Sequence, residues 1–163
     1  LGYPNQEVRK SFNEDLAAKY SGHDANRTVN FNDVLLDALE AGDTAALEKA
    51  LRTFFANVPY DVAHKDEYVY QTVFYVIFLL LGIYIEAESR TNDGRIDAVV
   101  KTGKYLYIFE IKMREAAAAI PQIKDKEYYQ KYMLGAEEIH LIGMSFDCAK
   151  GTLNEWKSEK LER

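Results

Sequence analysis

Three residues stand at a spacing that could do chemistry. They are Asp97, Glu110 and Lys112, in the stretch GRIDAVVKTGKYLYIFEIK. Side chains on a strand alternate between its two faces, so Glu110 and Lys112 share one. The two alternating runs flank Gly103 and Lys104. A Gly-X pair is what a two-residue type II′ hairpin requires. That turn pairs Thr102 with Tyr105 and, counting back, Asp97 with Glu110. Like charges directly opposed on a sheet destabilise it, and a cation between the carboxylates removes the conflict. Carboxylate oxygens suit a hard divalent ion such as magnesium. Function is expected where a local rule is broken. The spacing therefore predicts a metal site on a hairpin with a lysine one pleat away. The alternative is a solvated cross-strand cluster of Arg95, Asp97, Glu110 and Lys112, and a register slip of one residue would put the acids on opposite faces.

The elements that must position this hairpin follow from periodicity. Residues 1–60 read as a helical extension. NQEVRKSFNEDLAAKY has helical spacing, SGHDANRTVN (21–30) reads as a loop, and NDVLLDALEAG and DTAALEKALRTFFANV read as two short helices. Asn32 and Asp43 are candidate N-caps, and Gly42 is a stop signal. Residues 61–163 form the second unit. KDEYVYQTVFYVIFLLLG reads as a long helix, YIEAESR as a strand and TNDG as a turn, before the hairpin. After it, AAAAIPQIKDKEYYQKYMLG reads as a helix, with a second start near Pro121, which suits a first helical turn, as the alternative to an unbroken run. EIHLIGMSF reads as a buried strand and TLNEWKSEKL as an edge strand. This order predicts an α/β fold, a mixed sheet covered by helices.

Composition narrows the function class. The chain has 163 residues, 48% hydrophobic, with 12 tyrosines and 8 phenylalanines, enough for a sizeable core. A net charge of −6 argues against binding polyanions by bulk charge, though not against a local basic strip. The single Cys148 excludes an internal disulfide and a cysteine zinc cluster, and fits a reducing, cytoplasmic compartment. His23, His64 and His140 have no ligand spacing. The apolar run from Thr72 to Ile85 is too short to span a bilayer. TNDGR and VKTGKY lack phosphate-loop spacing. The opening LGYPNQEV, without an initiator methionine, reads as the start of a fragment of a longer protein.

A long helix, a strand, GRID, FEIK and a helix carrying QIKDKEYYQKY together resemble the PD-(D/E)xK nuclease superfamily. More narrowly, TNDGRIDAVV and YLYIFEIK resemble the nuclease-like domain found C-terminal to AAA-type ATPase-like domains in bacterial proteins. The resemblance implies a restriction-endonuclease-like fold and cleavage of nucleic acid, with DNA the expected substrate and an ATPase-like domain on the same full-length chain. It matches Asp97, Glu110 and Lys112 to the motif positions. Asp97 and Glu110 would bind Mg²⁺ or Mn²⁺ with the carbonyl of Ile111. Lys112 would orient or help deprotonate the attacking water and offset phosphate charge.

Two positions depart from the pattern. Ile96 replaces the motif proline. The glutamate usual on the first core helix has three candidates here: Glu67 and Gln71, one turn apart on one face, and Glu88 on the first strand. Gln71 fits the narrower family, but glutamine is a weaker metal ligand, and Glu67 also suits a helix N-terminus without any site role. On the later helix, Gln122 and Lys126 share a face, and Gln122, Lys124 or Lys126 is expected to reach the site. Arg90, Thr91 and Arg95 are candidate phosphate contacts, with Lys124, and such contacts position nucleic acid without reading sequence. Tyr128, Tyr129, Tyr132 and Trp156 read as packing residues. The competing expectation is a catalytically inactive nuclease-fold module that binds nucleic acid or regulates the attached ATPase-like domain.

Overall fold

The computed structural model describes residues 25–57, 67–81, 83–91, 94–112, 115–127, 129–134, 138–147 and 150–162, with backbone alone at 25–30, 67–70, 80, 84, 87–91 and 94–96. Among the described residues three helices precede the sheet: α1 (Ala25–Ala41), α2 (Thr44–Ala56) and α3 (Glu67–Leu80). Strands β1 (Tyr84–Thr91), β2 (Gly94–Lys101) and β3 (Tyr105–Lys112) follow as an antiparallel meander. A short 3₁₀ turn at Ala116–Ala118, helix α4 (Ala119–Asp125) and a second 3₁₀ turn at Gln130–Tyr132 then cross over the sheet. That crossover lets β4 (Glu138–Asp147) pair parallel with β3, and β5 (Thr152–Lys160) closes the edge antiparallel. The five strands form one mixed sheet in chain order.

The sheet is covered on both faces, which is why β3 and β4 are buried almost end to end. Odd positions of β3 (Tyr107, Phe109, Ile111) face one core with Leu39, Leu51, Phe55, Phe74, Phe78 and Phe146. Helices α1 and α2 therefore share the core of the sheet. Tyr107 ties them in, its hydroxyl donating to the Leu39 carbonyl at 2.6 Å. Even positions (Leu106, Ile108) face a second core with Val99, Ile123 and Leu141, beneath the crossover. Glu110 and Lys112 continue this even set.

Local signals behave as expected at the α1–α2 junction. Gly42 has φ +72°, and the Asp43 carboxylate accepts from the amides of Ala45 and Ala46. Three expectations are corrected. Residues 25–30 belong to α1, so Asn32 lies inside a helix and is not a cap. Buried Leu35 and Leu39 anchor α1 on the sheet, and tertiary packing carries helix through a polar stretch. The helix expected from Ala116 onward ends at Asp125, with Glu127 at φ +47° and a separate 3₁₀ turn beyond. The Gly103-Lys104 loop joins β2 and β3 as expected, but Gly103 is not in the left-handed region, so the turn is not type II′. The helix anticipated before residue 25 lies outside the described residues. Among the described residues no helix is long and apolar enough to cross a membrane.

Candidate active site

The site is built by register. The Thr102 amide donates to the Tyr105 carbonyl at 2.9 Å, and the ladder runs back through Lys101 opposite Leu106 to Ala98 opposite Phe109. The ladder ends at Ala98 and Phe109, and the same count carried one residue further sets Asp97 against Glu110. The Asp97 Oδ2 accepts from the Ile111 amide at 2.7 Å, so the acid reaches across to β3.

Glu110 is buried, 3% exposed. Its Oε1 accepts from Lys112 Nζ at 2.8 Å and from Gln122 Nε2. Lys112 Nζ also donates to Gln122 Oε1 at 2.8 Å. The three side chains close a ring, with Gln122 supplied by α4 from above. Glu110 Oε2 is buried and has no hydrogen-bond partner. Burial pushes the Glu110 carboxyl up to about 7, and the Asp97 charge adds to the rise. The Lys112 ammonium and the Gln122 amide pull the other way and do not offset it. An ion pair is thus present, yet desolvation and the second acid win.

This arrangement fits a hard divalent cation. An orphaned buried carboxylate oxygen beside a second carboxylate is the environment such an ion relieves. Among the described residues no group of three or more His, Cys, Asp or Glu assembles. Two carboxylates suffice for Mg²⁺, which keeps several waters and takes few protein ligands.

The other candidates lie on α3, β1, β2 and α4. Gln71 is half-buried on α3. Glu67 opens α3, and Glu88 lies on β1 between Ala87, opposite Ala98, and Ser89, opposite Ile96. Arg90 and Arg95 are opposed across β1 and β2, and Thr91 faces Gly94. The side chains of Glu67, Glu88, Arg90, Thr91 and Arg95 lie outside the described ones. Lys124 pairs with Glu159 on β5. Lys126 is exposed at the C-cap of α4, its amide donating to the Gln122 carbonyl at 3.1 Å.

Three residues near the site carry no signal in a linear reading. Gly143 lies opposite Glu110, and Ser145 opposite Lys112, on β4. Ser145 is fully buried and its Oγ has no partner. Glu155, opposite Ser145 on β5, accepts from the Ala116 amide at 2.7 Å. The parallel β3–β4 pairing brings Gly143 and Ser145 here, and the antiparallel β4–β5 pairing brings Glu155.

The sequence profile of the PD-(D/E)XK nuclease superfamily matches residues 65–156, more than half of the chain, from α3 through β4 and into β5 as far as Trp156. The chain belongs to the PD-(D/E)XK nuclease superfamily. The mixed sheet with flanking helices agrees with the restriction-endonuclease-like fold of this superfamily. A relative from Azotobacter chroococcum mcd 1, named "Uncharacterized protein in vnfD 5'region", is 38% identical over 155 residues. The match covers 90% of this chain and 30% of that protein, so the chain spans under a third of its relative's length. No solved structure matches the chain. Asp97, Glu110 and Lys112, which the sequence resemblance aligns with the motif positions, all lie within the matched residues.

Proposed function

We propose that this domain hydrolyses phosphodiester bonds of nucleic acid, DNA foremost, with Mg²⁺ or Mn²⁺. The observation that carries the reading is the bare, buried Oε2 of Glu110 beside Asp97, with Lys112 bonded to the same carboxylate. Asp97, Glu110 and the carbonyl of Ile111 would hold the cation. When bound, the cation supplies a Lewis acid for the phosphate and an activated water. The chain's own groups do the rest. Lys112 offers an ammonium where negative charge develops on the phosphate. Gln122 holds Lys112 and Glu110 at fixed separation. Arg90, Thr91, Arg95 and Lys124 are proposed phosphate contacts that position the strand. Gln71, Glu67 and Glu88 are the candidates for a further ligand.

The relative's greater length supports a chain with more than this domain, and we infer an ATPase-like domain on it, in a reducing, cytoplasmic setting. A second reading, an inactive module that binds nucleic acid or regulates that ATPase-like domain, is favoured by the acids numbering only two among the described residues.

The test is a cleavage assay with Mg²⁺ or Mn²⁺ on linear, circular, single-stranded and branched DNA. Glu110→Ala and Lys112→Ala are each expected to lose on the order of 100-fold in rate. Wild type is expected to gain melting temperature with Mn²⁺, by mass action, and Glu110→Ala to gain none. Cleavage that survives Glu110→Ala overturns the catalytic assignment. No cleavage, with no Mn²⁺ effect on melting, favours the inactive module.

A further inference from the structure

We propose that Gly143, with the alanine run Ala116–Ala119, is a positioning device that sets the height of α4 so that Gln122 grips Glu110 and Lys112. The alanine run has no role in a linear reading. In the fold, Ala116 and Ala119 are fully buried while Ala117 and Ala118 are exposed. The buried pair sits directly on Gly143. A Cβ added at Gly143 would stand 2.6 Å from the Ala119 Cβ, 3.3 Å from the Ala116 carbonyl oxygen and 3.6 Å from Ile120 Cγ1. Helix and strand thus approach as closely as the absence of one side chain allows.

The place of this contact ties it to the site. Gly143 is the β4 partner of Glu110. Gln122 is three residues, about one helical turn, beyond Ala119. It both donates to Glu110 Oε1 and accepts from Lys112. Two further contacts pin the same end of the crossover: the Ala116 amide bonds Glu155, and Ile120 and Ile123 sink into the second core. Without the close approach, Gln122 would ride too high to bridge the pair. To bring the 2.6 Å contact out to ordinary carbon contact at 3.4 Å, strand and helix must part by about 0.8 Å. A displacement near 1 Å at a catalytic group costs on the order of 100-fold in rate. The inference deepens the proposed nuclease reading, and its effect on cleavage rests on that reading.

The test is a set of variants read two ways. The variants are Gly143→Ala, Gln122→Ala, their combination, and Gly143→Ala with Ala119→Gly, which removes the atom at 2.6 Å. Leu106→Ala, in the same core but at the far end of β3, serves as a destabilised control. The first readout is the ¹⁵N–¹H resonance of the Gln122 side-chain amide in metal-free protein, assigned by its loss in Gln122→Ala. The second is cleavage rate at saturating Mn²⁺. Gly143→Ala is expected to shift the amide resonance towards that of a free side chain and to slow cleavage by on the order of 100-fold. Ala119→Gly is expected to restore both. The combination with Gln122→Ala is expected to be no slower than Gln122→Ala alone, and Leu106→Ala to keep the resonance. An unchanged resonance in Gly143→Ala overturns the proposal, as does a combined loss that multiplies the two single losses. If Gly143→Ala does not fold, the pair with Ala119→Gly decides: a recovered fold without the bonded Gln122 signal overturns it. A wild type that never cleaves but shows this resonance pattern refutes the nuclease reading and leaves the positioning role standing.

Discussion

Replacing Glu110 by glutamine should stabilise the metal-free protein at neutral pH and do little in acid. The folded-state carboxyl titrates at about 7 against a reference of 4.5. Between those values the folded state holds a proton that the unfolded chain has released. The contribution of this group to stability is therefore full below about 4.5, falls as pH rises through the window, and is gone above about 7. The window is worth about 3 kcal/mol at 1.36 kcal/mol per pH unit. Glu110→Gln removes the charge and keeps an oxygen for Lys112 and Gln122 to donate to. It also places an amide where the bare Oε2 stood, a buried group that lacks a partner in either variant. At pH 8 in EDTA the variant should gain most of that window, about 2 kcal/mol after the loss of the charged character of the Lys112 bond. At pH 4.5 the two proteins should unfold within about 0.5 kcal/mol of each other. The assay is urea denaturation at both pH values, with and without Mn²⁺. With Mn²⁺ at pH 8 the order should invert, because only wild type has the second carboxylate for the ion. A variant less stable than wild type at pH 8 in EDTA refutes the reasoning. It would mean that the Lys112 ion pair outweighs burial and the Asp97 charge.

Further outcomes follow from single contacts. Gly42→Ala should destabilise by more than 1 kcal/mol, since φ is +72° and the new Cβ would sit 2.6 Å from the Tyr105 ring. Gly103→Ala should stay within about 0.5 kcal/mol of wild type, or gain slightly, because nothing lies within 4 Å and the backbone is not left-handed. Equal melting temperatures for those two variants would contradict the backbone account of both turns. Tyr107→Phe should cost about 1 kcal/mol, by removing the 2.6 Å bond to the Leu39 carbonyl and leaving it only the longer 3.5 Å bond from the Thr102 hydroxyl among the described contacts. A urea midpoint unchanged by Tyr107→Phe would mean that α1 is not tied to the sheet through this bond.

The hairpin was legible in the chain because everything that shapes it is local. Period-two alternation assigns Glu110 and Lys112 to one face, and a two-residue loop at Gly103-Lys104 sets the count that opposes Asp97 to Glu110. The loop length did this even though the turn type was misjudged, since register depends on how many residues the loop holds. The Asp43 cap and the Gly42 stop are local in the same way. The extent of α1 was not, because its start through a polar stretch depends on burying Leu35 and Leu39 on a distant sheet. The break after Asp125 likewise follows from seating Tyr129, Tyr132 and Met133 on the second core.

The residue types and spacing by themselves set Glu110 and Lys112 on one face of β3 and predicted the hairpin and the order of the five strands. Tertiary structure alone decided the rest: that Gln122, of the three residues expected from its helix, joins Glu110 and Lys112, that Gly143 and Ser145 lie beside them on β4, and that Glu110 is buried enough to titrate near neutrality. Each of these needs the parallel β3–β4 pairing and a helix pressed against a glycine. Contacts between segments far apart in the chain are set by packing and leave no local period to read.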